Sequence, residues 1–288
     1  MKTDLSFIIL HAHNTLNNGS FMMLINTIWN IEQQTKKINK TVSYFVELNT
    51  PQDLERLKQE LPGIDSLHAL PITQKKELKS NKDLYVNFFI ENGIQVVQIL
   101  MFLFQKKLNG MIILGGDDLS EYYASWRIIF RLVWIYLYSL LTKVFIIGQT
   151  IGPFYSWRKA SATILLKNID IFVRDSISFK YSKEELYLTQ VRQFSDLAFM
   201  PLPEEKKNEK FFRKYGLEKK RYITIVPSGI PQHYTKNEKH YIDNWIELVR
   251  LLTNEYKGIK LVLMAHVYGP PVADDRRIIE KNSGFIRR

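Results

Sequence analysis

The stretch KVFIIGQTIGPFYSW, residues 143–157, contains the signals that decide the fold. Its apolar run VFII is typical of a strand that is buried on both faces of a parallel sheet. The run leads into GQTIGP, where Pro153 restricts Gly152 and blocks a helix, so the chain has to turn. Gln149 and Thr150 place hydrogen-bonding side chains at the end of the strand. The stretch therefore predicts a buried strand whose carboxyl end is either a tight turn or the rim of a binding site.

Short apolar runs of this kind alternate with segments of helical periodicity along most of the chain. Thr50-Pro51, for example, has the residue types that favour the start of a helix after the second run. Residues 120–143 are expected to form a single long apolar helix. Strands separated by helices predict a parallel sheet that is covered on both faces. This first domain is expected over residues 1–203.

The composition changes after residue 203, which predicts a domain boundary. Residues 204–221 are rich in lysine and arginine and are expected to be a basic linker that enters a short helix. Over residues 222–288 the alternation restarts with a strand, a helix, a strand and the start of a further helix. One such unit and a fragment are too little for an independent α/β domain, so this second domain is expected to be incomplete. The predicted fold class is α/β, with two Rossmann-like domains built on parallel sheets.

Composition narrows the classes of function. The 288 residues include no cysteine, which excludes disulfides, cysteine nucleophiles and zinc–thiolate sites. The net charge of +11 fits nucleic acid, an anionic membrane surface, a small anionic substrate or simply a basic solvated surface. The sequence has no P-loop, dinucleotide-binding or nucleic-acid motif, so nucleic acid is not an expected partner. No metal is expected, because His11 and His13 have no acidic third ligand nearby in the sequence.

The sequence has no convincing targeting segment, and a cytoplasmic location is expected. LSFIIL near the N-terminus is too short for the apolar region of a signal peptide. The apolar residues 132–141 make up about half of the ~20 residues that a transmembrane helix needs. A buried helix is therefore expected there, with contact to a membrane surface as the alternative.

The carboxyl ends of the expected strands carry the candidate binding residues, because ligands of such sheets bind beyond those ends and often at helix N-termini. After the first strand, HAHNTLNNGS contains Asn14, Asn17 and Gly19, which can hold a phosphate or a sugar hydroxyl. A polar loop capped by Ser20 explains the same residues without a ligand. Both interpretations are open at this stretch.

Another strand end, ILGGDDLSEYY, combines glycines with carboxylates. Gly115 and Gly116 allow the backbone to approach a ligand closely. Asp117 and Asp118 can bind hydroxyls, act as a base or hold a divalent ion. Capping of the following helix by Asp118 or Ser120 is equally consistent with the pattern.

Three further strand ends carry one or two candidates each. In FVRDSIS, Arg174 can grip a carboxylate or phosphate with two hydrogen bonds, or it can pair with Asp175 and fix the next helix. In ITIVPSG, Ser228 and Gly229 can form an anion-binding nest of amides. In LVLMAH, His266 can do acid–base work, although a lone histidine at a strand end is more often structural.

These stretches, taken in order, resemble the polysaccharide pyruvyl transferase family. The resemblance rests on NNGSFMML, IILGGDDL, IIGQTIGPF, DIFVRDSIS, FSDLAF, ITIVPSGI and LVLMAH followed by DD, and it covers nearly the whole chain. GQTIGPF with VRDSIS is its most specific part. The chain departs from the family pattern at Ser20, where an acidic residue is usual, and at Asp117, where a third glycine is common. It also ends before an Arg-Leu-His-like motif that members carry.

The resemblance implies a GT-B-like fold and transfer of the pyruvyl unit of phosphoenolpyruvate to a sugar hydroxyl pair as a ketal, during synthesis of exopolysaccharide or capsule at the cell envelope. Phosphoenolpyruvate is then a co-substrate, and no cofactor is expected. The acceptor is the sugar of a polysaccharide or of a lipid-linked oligosaccharide, which implies peripheral contact at the inner face of the membrane.

The expected site has an acceptor side and a donor side, with catalytic roles for His266, Arg174 and Asp118. The donor is expected near Ser228, Gly229 and His266. The acceptor is expected to be bound by Asn14, Asn17, Gly19, Gly115, Gly116, Asp117, Asp118, Gln149 and Thr150. Two alternatives stay open: a GT-B glycosyltransferase that uses a nucleotide-sugar, and a non-catalytic fragment that binds a glycan or a partner protein.

Overall fold

The chain divides into two compact units in a computed structural model. The described residues are 4–12, 14–73, 83–124, 127–203, 209–269 and 273–286. The first unit comprises Met1–Thr15 and Ser20–Glu204, and the second comprises Leu16–Gly19 and Glu205–Arg288. Asn17 and Gly19, which the sequence assigned to the first domain, are therefore grouped with the second unit.

The first unit is a parallel sheet of seven strands with helices between them. The strands are β1 (Leu5–Leu10), β2 (Val42–Val46), β3 (Leu67–Ala69), β4 (Gly110–Leu114), β5 (Val144–Gln149), β6 (Asp170–Val173) and β7 (Val191–Gln193). The helices are α1 (Asn18–Lys37), α2 (Pro51–Glu60), α3 (Asp83–Gln105), α4 (Glu121–Ala124), α5 (Ile128–Ser139), α6 (Trp157–Leu166) and α7 (Ser176–Lys180).

The strand order, β3-β2-β1-β4-β5-β6-β7, is that of a Rossmann-like sheet. From β1 the chain runs outward through β2 to β3, and it then returns to place β4 on the other side of β1. The point at which the order reverses lies between β1 and β4. Ligands of doubly wound sheets bind at this point, beyond the carboxyl ends of the strands. The expected parallel α/β fold is thus confirmed.

Both faces of the sheet are buried, which explains the continuous apolar runs. Successive residues of a strand point to opposite faces. Ile8 and Ile113 belong to a core that also contains residues of α3, α5 and α6. Ile9 and Ile112 belong to a second core with α1 and α2. At roughly 25 cal/mol for each Å² of apolar surface buried, these two cores are the main source of stability in this unit.

Local sequence signals gave some elements correctly and missed others. Thr50 caps α2, its side chain accepting from the amide of Asp53 and the Asp53 carboxylate accepting from the Thr50 amide, with Pro51 at the first position. β3 was not expected from the sequence, because it has only three residues and two of them are exposed. Of the single long helix expected over residues 120–143, the described residues form α4 and α5, which ends at Ser139, and residues 125–126 lie outside the described residues.

The second unit contains a two-stranded parallel sheet among its described residues. Its elements are α8 (Glu209–Tyr215), β8 (Tyr222–Ile225), α9 (Glu238–Glu255), β9 (Lys260–Leu263) and α10 (Arg276–Ile286). The chain from residue 16 joins this unit by backbone pairing. Asn18 N donates to His266 O at 3.1 Å and Tyr268 N to Leu16 O at 2.9 Å. α8 lies inside the expected linker, of which residues 204–208 are outside the described residues.

No helix in the described ranges is both long enough and apolar enough to cross a bilayer. Residues 132–141 fall mostly in α5, where Leu132, Ile135 and Tyr138 are buried in the first core. The expectation of a buried helix is confirmed for this face of α5.

Gly152 provides a test of why the loop after β5 needs a glycine. Its φ is +75°, and an added Cβ would lie 2.2 Å from the ring of Tyr181. Gly152→Ala should lower the free energy of unfolding by about 2–5 kcal/mol, through backbone strain and overpacking. Urea denaturation measures this loss.

Gly63→Ala is the matched control, because Gly63 also has a positive φ but has no atom within 4 Å of the added Cβ. Gly63→Ala should lower the free energy of unfolding by only about 1–2 kcal/mol, the cost of the strained backbone. Equal losses in the two variants would show that the contact with Tyr181 does not matter.

Candidate functional site

The carboxyl edge of the first sheet gathers most of the polar residues expected from the sequence. Because parallel strands end at the same edge, the residues that follow β1, β4, β5 and β6 become neighbours. They are His11, then Gly115 to Asp118, then Gln149 and Thr150, then Arg174. The loops after these strands therefore form one candidate site within the first unit.

Gln149 lies on top of Gly115 rather than in solvent. Its side chain is fully buried, and its Nε2 donates to Leu114 O at 3.5 Å. A Cβ on Gly115 would lie 1.6 Å from this nitrogen, so only glycine leaves room for the amide. In the described part of the chain, Gln149 Oε1 is buried and has no hydrogen-bond partner. Gly116, by contrast, has open space at the position of a Cβ.

Arg174 connects the ends of four neighbouring strands. Its Nε donates to Thr150 Oγ1 at 3.2 Å after β5, and its Nη1 donates to Asp196 Oδ2 at 3.1 Å after β7. Its Nη2 donates to Asp117 Oδ1 after β4. The guanidinium is thus held by two carboxylates and a hydroxyl. Asp196 was not among the expected site residues, although its stretch FSDLAF was part of the family pattern.

Asp175 caps the helix that follows it, and it does so without pairing with Arg174. Its carboxylate accepts from Ser178 N at 2.7 Å and from Ser178 Oγ at 2.9 Å, and so begins α7. Ser178 Oγ in turn accepts from Ile151 N at 3.1 Å. The VRDSIS stretch therefore fixes both α7 and the GQTIGPF loop, while Arg174 is turned towards Asp117 and Asp196.

Asp118 points away from Arg174 and towards the other side of the site. Its Oδ1 lies 3.2 Å from Arg131 Nη1 of α5, and its Oδ2 lies 3.4 Å from His11 Nδ1. The carboxylate remains 45% exposed, so a ligand can reach it. The amide of His11 donates to Glu47 Oε2 at 2.7 Å. Neither Arg131 nor Glu47 carried a sequence signal as a site residue, because each meets its partner only through the fold.

A partly buried ion pair supports the loop after β5 from the side of α4. Arg158 donates to both carboxylate oxygens of Glu121, at 2.9 and 2.6 Å, and Tyr155 N donates to Glu121 Oε1 at 2.6 Å. Burial alone would raise the pKa of Glu121, but hydrogen bonds from Arg158 and from this amide outweigh it and hold the pKa below its usual value. The pair anchors the loop, and neither member carried a sequence signal as a site residue.

Within the second unit, three expected residues come together. A Cβ built on Gly19 would lie 3.0 Å from His266 Cε1 and 3.6 Å from Asn17 Oδ1, so glycine lets the histidine ring approach this segment. Asn17 also forms a β-bridge with Val267. His266 is therefore positioned against residues 17–19.

Ser228 and Gly229 lie at the end of β8, where the amides already have partners. Gly229 N donates to Asp275 Oδ1 at 2.6 Å, and Ser228 N donates to Tyr241 Oη at 3.0 Å. The other oxygen of Asp275 accepts from His266 N and Val267 N, each at 2.8 Å. The anion-binding position expected here is occupied by the chain's own buried carboxylate.

Neighbouring Asp274 is a second carboxylate held by the same loop. Arg276 donates to both of its oxygens, and Gly269 N donates to Oδ2 at 3.1 Å. The Arg276 hydrogen bond is the main reason that the pKa of Asp274 is well below its usual range. The DD pair of the family pattern thus organises backbone in this unit.

Two expected residues remain to be placed. Asn14 is half-buried shortly after β1 in the first unit, and His13 lies outside the described residues. Across the described ranges, no group of three or more His, Cys, Asp or Glu side chains has an arrangement that could hold a metal ion.

Comparison with known proteins gives the family. The sequence model of the polysaccharide pyruvyl transferases matches residues 67–287. The chain belongs to the polysaccharide pyruvyl transferase family. It is a transferase whose matched region includes both GGDD and VRDSIS. No curated protein matches the chain.

The fold also has a solved counterpart, a UDP co-structure of S. aureus MnaA. The TM-score is 0.52 at 13% sequence identity, and the match covers 98% of this chain and 67% of that chain. At this identity the likeness concerns the fold alone. It confirms the expected Rossmann-like α/β, GT-B-like class for this family member.

The contact between Gln149 and Gly115 predicts that the losses of stability caused by substituting the two residues do not add up. Gly115→Ala alone should be destabilising by about 1–3 kcal/mol, because the buried amide cannot move away. In a Gln149→Ala background the same change should cost about 1–2 kcal/mol less. Gly116→Ala, with open space around it, is the control and should be close to neutral. Urea denaturation of the four variants tests this, and full additivity would contradict the contact.

The Glu121–Arg158 pair predicts a pH-dependent loss of stability. A carboxylate whose pKa is lowered by folding contributes stability above the ordinary glutamate pKa of 4.5, and this contribution disappears as the pH falls through the lowered value. Glu121→Gln should therefore be less stable than the wild type at neutral pH, with the difference narrowing in acid.

Denaturant midpoints at neutral and acid pH measure this effect. Glu184→Gln is the control, because the Glu184 side chain is 61% exposed in a weak surface pair with Lys180. A Glu121→Gln variant that keeps the same deficit at both pH values would rule out an electrostatic contribution.

Proposed function

We propose that this protein transfers the pyruvyl unit of phosphoenolpyruvate to two hydroxyls of one sugar, forming a ketal during synthesis of a cell-surface polysaccharide. The family match over residues 67–287 is the observation that carries this proposal. It covers the polar strand ends of the first unit from Gly115 to Arg174, as well as His266 in the second.

The proposed reaction needs no redox chemistry and no cofactor. A proton is added to the methylene carbon of phosphoenolpyruvate, which makes C2 electrophilic, and one sugar hydroxyl bonds to C2 and loses its proton. A second hydroxyl then bonds to C2 and loses its proton, while the bond from C2 to the phosphate oxygen breaks and its electron pair leaves with phosphate. Each proton transfer is typically worth ~100- to 10,000-fold in rate.

In the first unit, we assign the sugar acceptor to the carboxyl edge of the sheet. Asp118 is the candidate for proton transfer there, since it is half-exposed and lies beside His11. Thr150 and Asp117 contact Arg174, which holds them in fixed positions. We therefore assign Arg174 an electrostatic and positioning role. Asn14 and Gly116 remain candidate acceptor contacts, whereas the fully buried Gln149 would act by shaping the loop.

In the second unit, we assign the donor to the neighbourhood of His266. Phosphoenolpyruvate carries a phosphate and a carboxylate, and both need cationic or hydrogen-bonding partners. His266 lies against Gly19 and Asn17, which we now assign to the same unit. Ser228 and Gly229 would contribute by shaping the loop, because their amides already donate within the chain.

The net charge of +11 supports the same proposal. An anionic donor is attracted to a basic protein, and so is an acceptor carried on an anionic membrane lipid. We accordingly place the protein in the cytoplasm, in peripheral contact with the inner face of the membrane.

The test is a turnover assay with phosphoenolpyruvate and methyl glycosides of common hexoses. Phosphate release together with the mass of a pyruvate ketal on the sugar would support the proposal. Asp118→Asn should lower kcat by about 100-fold or more. Asp65→Asn, at an exposed position on the loop before β3, is the matched control and should leave kcat unchanged.

A nucleotide-sugar panel run in parallel separates the alternatives. The fold of this protein resembles that of MnaA, which was solved with UDP, so UDP-sugars are included. Consumption of a UDP-sugar but not of phosphoenolpyruvate would favour a glycosyltransferase. Binding of a glycan without turnover of either donor would favour a non-catalytic module.

A further inference from the structure

His11 has a backbone conformation that is uncommon for its residue type. It follows β1 directly, beside the point at which the strand order reverses, and its φ is +64°. Residues other than glycine uncommonly adopt a positive φ, and where they do the surrounding structure has to stabilise it. Here Glu47, which follows β2, does so by accepting from the His11 amide at 2.7 Å.

This conformation places the imidazole against Asp118. His11 Nδ1 is buried and lies 3.4 Å from Asp118 Oδ2, which is longer than a well-formed hydrogen bond. Within the described residues this nitrogen has no hydrogen-bond partner, and Asp118 is the carboxylate beside it. Catalytic hydrogen bonds are often long in the absence of substrate and shorten when it binds.

Arg131 fixes Asp118 from the opposite side. Its Nη1 lies 3.2 Å from Asp118 Oδ1 and donates to Asp118 O at 2.9 Å. The carboxylate is thus held between a permanent cation and an imidazole. Among the described residues, Asp118 after β4 lies against the ring, Arg131 on α5 contacts Asp118, and Glu47 after β2 accepts from the His11 amide.

We propose that His11 and Asp118 form a proton-transfer pair in which Asp118 orients the imidazole and Nε2 is the working base. A carboxylate on Nδ1 keeps the proton on that nitrogen and leaves Nε2 unprotonated, as in other histidine–carboxylate pairs. From the sequence alone, His11 was considered only for a disfavoured metal site.

The pair serves the step that closes the ketal, an assignment that rests on the proposed function. The oxygen of the second sugar hydroxyl bonds to C2, and its proton moves to His11 Nε2. The bond from C2 to the phosphate oxygen breaks, and its electron pair leaves with phosphate. Nε2 then passes the proton to phosphate, so the step balances without another reactant.

The first measurement does not depend on activity. Long-range ¹H–¹⁵N NMR of protein labelled on its histidine nitrogens, at alkaline pH where histidine is neutral, reports which nitrogen carries the proton. His11→Asn identifies the resonance and tolerates the positive φ. The pair predicts the Nδ1–H form for His11, and its loss in Asp118→Ala but not in Asp65→Asn. The Nε2–H form in the wild type would overturn the proposal.

The second measurement is turnover in His11→Gly, which keeps the backbone conformation and leaves space for added imidazole. The variant should lose ~100- to 10,000-fold in kcat with KM within a few-fold of the wild type. Free imidazole should restore part of this loss and should leave the wild type unchanged. His68→Asn, on β3, is the histidine control and should keep full activity.

These outcomes separate the pair from the proposed function. An Nδ1–H His11 in a protein that forms no ketal would support the pair and refute the assigned reaction. Ketal formation that persists in His11→Gly, or a folded variant that imidazole does not restore, would overturn the pair and leave the assigned reaction standing.

Discussion

The guanidinium of Arg174 is the constraint on which the candidate site in the first unit depends. It binds Asp117, Thr150 and Asp196, so the loops after β4, β5, β6 and β7 meet at one cation. The two carboxylates are close enough to need a shared countercharge, and both are only partly exposed. A lysine would supply the charge but not three donors in a fixed plane. The shape of this edge of the sheet thus follows from one planar group.

A second set of ion pairs, from His11 and Arg131, fixes Asp118 on the same edge of the sheet. Asp117 is drawn towards β6 and β7 by Arg174, whereas Asp118 is drawn towards β1 and α5 by His11 and Arg131. Asp117 and Asp118 lie in the bend and turn that follow β4, so their directions are set by these ion pairs and not by strand alternation. Gly116, just before them, adds no side chain to the space above it. The two carboxylates are thus held by different partners on this edge of the sheet.

The sequence predicted what depends on local patterns and missed what depends on distant partners. Runs such as VFII and MIIL predicted strands buried on both faces, and glycines and aspartates correctly marked the strand ends. The partner of each charge could not be predicted, since Arg174 and Asp117 are 57 residues apart. Arg131 and Glu47 looked like ordinary helix and loop residues for the same reason. β3 was too short for alternation to be visible.

The second unit differs from the sequence prediction in two ways. It includes a segment from the N-terminal part of the chain, and its backbone amides are bound by the chain's own carboxylate. Residues 16–19 pair with residues 266–268, so the unit includes a segment from the far end of the chain. Asp275 binds the amides of Gly229, His266 and Val267. Since one buried carboxylate already takes three donors at these strand ends, an anionic ligand there would have to be bound by side chains. Gly19 leaves room there for the imidazole of His266, and Arg277 donates to Gly229 O at 3.0 Å, so both side chains lie beside these amides.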